Sequence, residues 1–349
     1  MGVQTEGEGE GEGGRGYEVF EAGDVVLQAG ETLRDAKLAY ATHGRLDARR
    51  GNAIVFPTCY AGRHEDNAWL IGPGKALDTS RYFVVVPDML GNGLSSSPSN
   101  GAPTQAGPDF PHVTIQDNVA LQHRLVVERF GVTRLPLVVG FSMGAQQAYQ
   151  WAASYPALVE RIAPICGAAR CAPHAWVFLE GVTAALKADA AWRGGRYDAP
   201  PEAGLRALGR VWAGWGLSQA WYRAGLYRAQ GYASLDDFIV GGYEESFLAW
   251  DANDLLAMAW TWQHADIGAT PGFDGDLDRA LGAIQARALV MPCATDLYFP
   301  LEDNAAEVAR MPHAELRPID SVWGHAAGGG GVPEDAAFID AAIKEWLER

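Results

Sequence analysis

Residues 135–154 of the chain read LPLVVGFSMGAQQAYQWAAS, and this stretch decides the fold. It begins with an aliphatic, β-branched run typical of a buried strand and ends with a run typical of a helix. The two runs meet at GFSMG (140–144), a G-x-S-x-G motif. A sharp turn from strand to helix exposes a serine hydroxyl and needs small residues two positions before and after it. We therefore predict that Ser142 is a nucleophile rather than a capping serine in a glycine-rich turn.

Apolar runs alternate with amphipathic runs on both sides of this motif. Seven apolar runs predict strands, at 36–42, 52–58, 81–87, 135–141, 161–167, 286–293 and 314–320. Amphipathic runs predict helices at 115–130, 143–154, 302–310 and 334–348. Such an alternation of strands and helices predicts an α/β fold with a doubly wound, mostly parallel sheet.

Residues 168–265 interrupt the alternation and contain eight of the twelve tryptophans. We predict a helical lid insertion there, with long helical stretches such as 245–264, and a core formed by 17–167 and 266–349. Most of the eight tryptophans are expected to form the lid's own core, and the lid is expected to cover the crevice at the carboxyl ends of the strands. Glycine and glutamate alternate at residues 6–14, and residues 1–16 are expected to form a disordered tail.

The acidic composition excludes several kinds of partner. The 349 residues include 27 Lys and Arg against 43 Asp and Glu, which gives a formal net charge of −16. Such a chain repels phosphate backbones and anionic lipids, so we expect neither a nucleic acid nor a membrane as partner. Neither a membrane-spanning segment nor a secretory signal is evident, which predicts a cytoplasmic protein.

The sequence contains no pattern typical of a metal or cofactor site. The four cysteines lack zinc spacing and are expected to be reduced thiols. His64, Glu65 and Asp66 have no further ligand at a useful spacing, so we predict a solvated polar loop there. The glycine-rich segments 72–75 and 91–93 lack the spacing or the lysine of a phosphate loop. We therefore expect no cofactor and no metal.

A serine nucleophile needs a base that is oriented by a carboxylate. Where the nucleophile lies on a strand-to-helix turn, the acid and then the base follow it in the chain, each in a loop after a late strand. Asp296 and His325 follow the last two predicted strands, so we predict that they are the acid and the base. Asp320 and Asp88 are the alternative acids, although we expect both to support their own loops.

Two backbone N–H groups are expected to bind the oxyanion that forms during acyl transfer. One should belong to Met143, directly after the nucleophile. The other should lie in the loop after an early strand, which here reads FPTCYAG (56–62). Tyr60 is the predicted donor in this loop, with its neighbour Ala61 as the alternative, and the Tyr60 ring either faces the pocket or packs beneath the loop.

With these residues placed, the chain resembles the homoserine O-acetyltransferase family of α/β-hydrolase-fold enzymes from about residue 35 to the end. The matching segments are GPGKALDTSRYFVVVPDMLGNGLSS (72–96), GFSMGAQQAYQWAASYPALVERI (140–162) and ATDLYFPLEDNAAEVARMPHAELRPIDSVWGH (294–325). The resemblance implies an α/β-hydrolase fold and a catalytic triad of Ser142, Asp296 and His325. It also implies a homodimer formed through the lid helices.

Two departures from the family's pattern bear on the substrate. In the acetyltransferases an aspartate that binds the acceptor's amino group follows the catalytic histidine, whereas this chain has Ala326. The arginine expected to hold the acceptor's carboxylate has no clear match; in GWGLSQAWYRAG (214–225) only Arg223 could serve, after a register shift. A buried ammonium without its carboxylate is strongly destabilised, so a zwitterionic amino acid should bind weakly.

Without an anchored acceptor, water can attack the acyl-enzyme. We therefore interpret the sequence as that of a serine esterase for small-molecule esters with a short acyl group of the acetyl type. The substrate pocket is predicted to include Ala61, Arg223 and Ala326. The alternative is an acyltransferase, a homoserine O-acetyltransferase or a relative that moves an acetyl group from acetyl-CoA to an alcohol. A catalytically silent binding scaffold is a further alternative, which the complete triad disfavours.

Overall fold

The sheet has eight strands, in a computed structural model that describes residues 16–349. The strands are β1 (Glu18–Val26), β2 (Thr32–His43), β3 (Ala53–Val55), β4 (Phe83–Pro87), β5 (Leu137–Phe141), β6 (Arg161–Ile165), β7 (Arg287–Val290) and β8 (Ala314–Leu316). The tail predicted at 1–16 falls, apart from Gly16, outside the described residues.

The strand order is β1-β2-β4-β3-β5-β6-β7-β8. β2 pairs antiparallel with β1 and with β4, and the pairs from β4 to β8 are parallel. The predicted doubly wound, mostly parallel sheet is therefore confirmed. The chain reverses its direction of winding between β3 and β5, and ligands bind at the carboxyl ends of the strands beside such a switch point.

Helices cover both faces of the sheet. They are α1 (Ile115–Arg124), α2 (Met143–Ser154), α3 (Pro173–Lys187), α4 (Glu202–Ala213), α5 (Gln219–Arg223), α6 (Leu235–Phe238), α7 (Glu245–Leu248), α8 (Ala252–Gln263), α9 (Leu277–Ala283), α10 (Leu301–Val308) and α11 (Pro333–Glu348). α1 and α2 pack on one face and α11 on the other. Among the described residues, no helix combines the length and apolar character needed to cross a membrane.

Helices α3 to α8 lie between β6 and β7, in the region where the sequence predicts the lid. The two ends of this helical insertion meet beside the sheet. Arg170 and Asp266 form an antiparallel bridge, and their side chains form an ion pair of 2.9 Å. The N–H of Cys171 donates to the carbonyl oxygen of Ala265 at 2.8 Å. The insertion therefore begins and ends at one place, where Arg170 meets Asp266.

The structure differs from the predicted elements in two places. β1 was not predicted, because its residues are largely exposed and its pairing with β2 shifts register at Gly23, so no apolar alternation marks it. The long helix predicted at 245–264 is divided into α7 and α8. The division occurs because Asp251 caps α8, its carboxylate accepting from the N–H groups of Asn253 and Asp254.

Candidate active site

Ser142 lies at the turn between β5 and α2 and has a positive φ of 58° with a ψ of −124°. This conformation is strained for a residue other than glycine. A Cβ on Gly140 would lie 2.0 Å from the carbonyl oxygen of Gly144, and a Cβ on Gly144 would lie 2.7 Å from the carbonyl oxygen of Pro57. The turn can therefore form only because both motif positions lack a side chain.

The structure brings together the three residues that the sequence predicts as nucleophile, base and acid. His325 Nε2 lies 2.9 Å from Ser142 Oγ, and His325 Nδ1 lies 2.8 Å from Asp296 Oδ2. Ser142 and Asp296 are buried, and the His325 side chain is 13% exposed. In this arrangement one imidazole can take a proton from the serine while the carboxylate holds its other nitrogen.

Backbone donors fix the carboxylate of Asp296, which follows β7. Its Oδ1 accepts hydrogen bonds from the N–H groups of Tyr298 at 2.8 Å and Phe299 at 3.3 Å. Its Oδ2 is left for His325. Because each oxygen has its own donors, the carboxylate cannot rotate away from the imidazole without losing hydrogen bonds.

The loop that carries His325 is tied to the loop that carries Asp296. Thr295 Oγ1 donates to the carbonyl oxygen of Ser321 at 2.8 Å and accepts from the N–H of Gly324 at 3.2 Å. Gly324 has a φ of +61°, and a Cβ there would lie 2.8 Å from the backbone nitrogen of Ser218 in the insertion. The glycine before His325 thus lets the base loop fit directly against the insertion.

The two alternative acids lie elsewhere. Asp320 is exposed, whereas Asp88 is fully buried and accepts from His64 Nδ1 at 2.7 Å and from Asn92 Nδ2 at 2.9 Å. The prediction of a solvated loop is therefore wrong at His64, which is 4% exposed because its ring pairs with Asp88 beneath the loop. This bond raises the pKa of His64. Among residues 16–349, no group of three His, Cys, Asp or Glu side chains is placed so that it could hold a metal ion.

The two predicted oxyanion donors lie on neighbouring segments. Met143 is the first residue of α2, where the helix dipole favours negative charge. The loop that contains Tyr60 crosses the start of this helix, as the close approach of Pro57 to Gly144 shows. Neither the Met143 nor the Tyr60 N–H donates to another group within residues 16–349. Their role as an oxyanion hole stays a prediction.

Aromatic side chains of the core and the insertion form a continuous wall beside the three residues. We call it the aromatic wall; it consists of Tyr60, Phe178, Trp212, Trp215, Trp262 and Tyr298. The Tyr60 ring stacks on Trp212 with centroids 4.6 Å apart, and Trp212 lies 6.2 Å from Tyr298. Tyr298 in turn meets His325 edge-on at 4.9 Å. Part of the tryptophan-rich insertion therefore contacts residues beside the site rather than only its own core.

The structure places the other predicted pocket residues differently. Ala61 is half-buried and has a left-handed φ of 49°. Ala326 is half-buried and packs against an apolar cluster of the insertion. Arg223 is exposed at the end of α5 and forms no hydrogen bond or ion pair with Ser142, Asp296 or His325. The surroundings of Ala326 are apolar, as expected for a position that does not bind an ammonium group.

Three aromatic residues that contact the base were not predicted. Phe141 stacks on His325 at 4.7 Å, and Phe299 lies 5.6 Å from it. Tyr298 meets the same ring edge-on. The available signal was their position in the chain: Phe141 directly precedes Ser142, and the other two follow the predicted acid by two and three residues.

Comparison with known proteins gives a consistent result. A family model described as alpha/beta hydrolase fold matches residues 52–321. The chain is 40% identical to the ethyl acetate hydrolase of Pseudomonas veronii over 334 residues, which cover 95% of each protein. It is also 40% identical to the solved structure of the acetyl esterase MekB, with a TM-score of 0.93 over 95% of this chain and 97% of that one.

Acetyltransferases are also among the similar proteins. The homoserine O-acetyltransferase of Symbiobacterium thermophilum is 35% identical, in an alignment that covers 93% of this chain and 92% of that protein. This identity is lower than the 40% found for the esterases, although the similarity covers nearly as much of the chain. The resemblance noted in the sequence is thus confirmed, with the esterases as the nearer group of the two.

Proposed function

The chain belongs to the α/β-hydrolase fold family, and from this premise we propose that it is a serine esterase that hydrolyses short-chain esters of the acetyl type. The observation that carries the proposal is the hydrogen-bonded series from Ser142 through His325 to Asp296, with distances of 2.9 and 2.8 Å. The names of the similar proteins, ethyl acetate hydrolase and acetyl esterase, agree with this substrate class.

The proposed reaction has two acyl-transfer steps. His325 Nε2 takes the proton of Ser142 Oγ as the oxygen attacks the ester carbonyl, and the N–H groups of Met143 and Tyr60 bind the oxyanion. Collapse of the intermediate expels the alcohol, which receives that proton. Water then attacks the acyl-enzyme, giving its proton to His325, and the second collapse returns the proton to Ser142 and releases the carboxylic acid. Asp296 stabilises the imidazolium in both steps.

We favour water over an amino acid as the acceptor because of Ala326. Its methyl group packs against an apolar cluster formed by Leu217, Trp221, Tyr227 and Phe238. An amino acid's ammonium group bound there would lose its hydration without gaining a carboxylate partner. The acyltransferase alternative also requires an arginine for the acceptor's carboxylate, and Arg223 is exposed.

Two assays test the proposal. The protein is incubated with ethyl acetate, and separately with acetyl-CoA and homoserine, and the acetate and O-acetylhomoserine formed are measured. We expect ester hydrolysis that is absent in Ser142→Ala. Faster formation of O-acetylhomoserine would instead establish the acyltransferase. Labelling of Ser142 by a fluorophosphonate, absent in Ser142→Ala, checks the nucleophile directly and would dispose of the silent scaffold.

The proposal also covers the role of the insertion and the oligomeric state. We infer that the insertion at 168–265 acts as a lid and that two copies associate through its helices. Trp176 is 44% exposed and Val177 is 61% exposed on α3, which gives the insertion an apolar outer surface. Light scattering on the wild type and on Trp176→Lys tests the dimer, which we expect the substitution to weaken. The cytoplasmic location stays a prediction.

A further inference from the structure

Tyr298 has a buried hydroxyl group without a hydrogen-bond partner. The residue is 2% exposed, and its hydroxyl meets no donor or acceptor among residues 16–349. The hydroxyls of Tyr60 and Tyr222, by contrast, donate to the carbonyl oxygens of Leu255 and Ala213. Leaving a buried hydroxyl unpaired is unfavourable. The position of Tyr298 therefore suits a partner that the described chain does not supply.

Trp262 has a second unpaired donor on the same aromatic wall. Its ring meets that of Tyr298 edge-on, with centroids 5.4 Å apart at 83°. The residue is 1% exposed, and its indole N–H has no acceptor within the described residues. Burial raises the pKa of Tyr298 well above its usual value, so the hydroxyl remains protonated and can donate. The Tyr298 hydroxyl is thus a donor without an acceptor, and an acceptor oxygen is the group that would pair with it.

The contacts of Tyr298 place it on the alcohol side of the ester. Its ring lies against His325 at 4.9 Å, and its backbone N–H donates to Asp296 at 2.8 Å. In ester hydrolysis the histidine gives its proton to the alcohol oxygen, whereas the oxyanion donors face the carbonyl oxygen. A side chain packed on His325 therefore borders the alcohol portion rather than the acyl group.

Gly216 of the insertion lies beside the Tyr298 hydroxyl. A Cβ on Gly216 would lie 3.6 Å from this hydroxyl and 2.9 Å from the hydroxyl of Tyr243. The hydroxyl thus lies at the far end of the ring from the backbone of the acid loop, where the core meets the insertion. A group that reaches it must extend some atoms beyond the ester oxygen.

We propose that the site takes acetyl esters whose alcohol portion carries a second oxygen a few atoms beyond the ester, and that Tyr298 donates a hydrogen bond to this oxygen. The inference rests on the proposed esterase function and narrows its substrate class. Tyr298 is then a specificity-determining residue. Simple alkyl acetates leave its hydroxyl unpaired, whereas an ether, hydroxyl or carbonyl oxygen at this position pairs with it.

Two nearly isosteric esters test the inference. 2-Methoxyethyl acetate differs from butyl acetate by one ether oxygen in place of a methylene group. The kcat/KM for 2-methoxyethyl acetate is divided by that for butyl acetate. This ratio is then divided by the ratio of the two rate constants for alkaline hydrolysis, which removes the difference in leaving-group reactivity. We expect the corrected ratio to favour 2-methoxyethyl acetate by about tenfold in the wild type and to fall by about tenfold in Tyr298→Phe.

Tyr222→Phe is the matched control, because it removes a hydroxyl that already has a protein acceptor. We expect it to leave the corrected ratio unchanged. A corrected ratio near one in the wild type overturns the inference. An equal corrected ratio in the wild type and in Tyr298→Phe also overturns it. If Tyr298→Phe does not fold, the corrected ratio of the wild type alone decides. Equal hydrolysis of both esters leaves the esterase proposal intact, whereas hydrolysis of neither overturns both proposals.

Discussion

At the scale of single residues, the proposed nucleophile Ser142 depends on two nearby glycines, at positions where a side chain cannot fit. We predict that Gly140→Ala lowers the free energy of unfolding by about 1–3 kcal/mol, because its Cβ would lie 2.0 Å from the carbonyl oxygen of Gly144. Displacement of Ser142 should lower kcat on ethyl acetate by about 100-fold. Chemical denaturation and initial rates measure the two effects.

Gly181→Ala is the matched control for this substitution. Gly181 lies inside α3, and no atom lies within 4 Å of an added Cβ. Alanine there should stabilise the protein by about 0.5–1 kcal/mol, because glycine has the greater conformational freedom in the unfolded chain. Full activity of Gly140→Ala would show that the tight turn is not required.

The assignment of the acid can be tested with two carboxylates. Asp296→Asn keeps an oxygen for the N–H groups of Tyr298 and Phe299 but removes the charge beside His325. We predict a fall in kcat of about 10³–10⁴-fold with little change in stability. Asp320→Asn alters an exposed carboxylate and should change kcat by less than about twofold. The opposite result would move the role of acid to Asp320.

The sequence identifies residues whose chemistry is tied to a motif more readily than residues that act through packing. The proximity of Ser142, Asp296 and His325 could be predicted because each follows a strand in a known chain order. Tyr298 could not be assigned a role, because an unpaired hydroxyl is visible only once all of its neighbours are placed. The exposure of Arg223 could not be predicted either, because tertiary packing decides which face of a short helix meets solvent.

At the scale of elements, the strands buried on both faces were predictable and the partly exposed one was not. β4, for example, is buried at every position and reads as a continuous apolar run, FVVVP. β1 has no such run, because most of its side chains face solvent. The junction of α7 and α8 was missed for a different reason. Asp251 ends an otherwise continuous apolar pattern by capping α8, and one capping side chain is a weak signal in a sequence.

The start of α8 holds a buried carboxyl group that should make stability depend on pH. Asp254 accepts from the N–H and the hydroxyl of Ser99, which joins the insertion to the loop after β4. Burial raises the pKa of Asp254 to about 7, and the nearby charge of Asp251 raises it as well. Between about pH 4 and pH 7 the folded protein keeps this proton while the unfolded chain has lost it. The free energy of unfolding therefore falls as the pH rises through this range.

Asp254→Asn should remove this dependence, because an amide can keep both contacts with Ser99 and does not ionise. We compare the free energy of unfolding of the variant with that of the wild type. We predict that this difference shifts in favour of the variant by on the order of 2–3 kcal/mol from pH 5 to pH 8. Denaturant unfolding of both proteins at several pH values measures the difference. Parallel pH curves for the two proteins would show that Asp254 does not titrate in this range.

At the scale of the whole molecule, the core and the insertion contribute different parts of one site. The loops after β5, β7 and β8 supply Ser142, Asp296 and His325, the proposed nucleophile, acid and base. The insertion supplies Phe178, Trp212, Trp215 and Trp262 of the aromatic wall. Reaction chemistry is thereby set by the sheet, whereas the shape of the space beside it is set by helices that join the core at Arg170 and Asp266. Substitutions in the insertion should therefore alter substrate preference more than the chemical step.

The net charge of −16 should influence which esters reach this site. A strongly acidic molecule repels anions, and dissolved salt screens this repulsion. The Debye length falls from about 30 Å at 0.01 M ionic strength to about 3 Å at 1 M. We predict that raising the ionic strength from 10 mM to 0.5 M increases kcat/KM several-fold for 4-acetoxybenzoate, which is anionic, and leaves that for neutral phenyl acetate nearly constant. Initial rates at constant pH, corrected for spontaneous hydrolysis, give both values. An equal response of the two esters would mean that the potential at the site is set by nearby side chains and not by the overall charge.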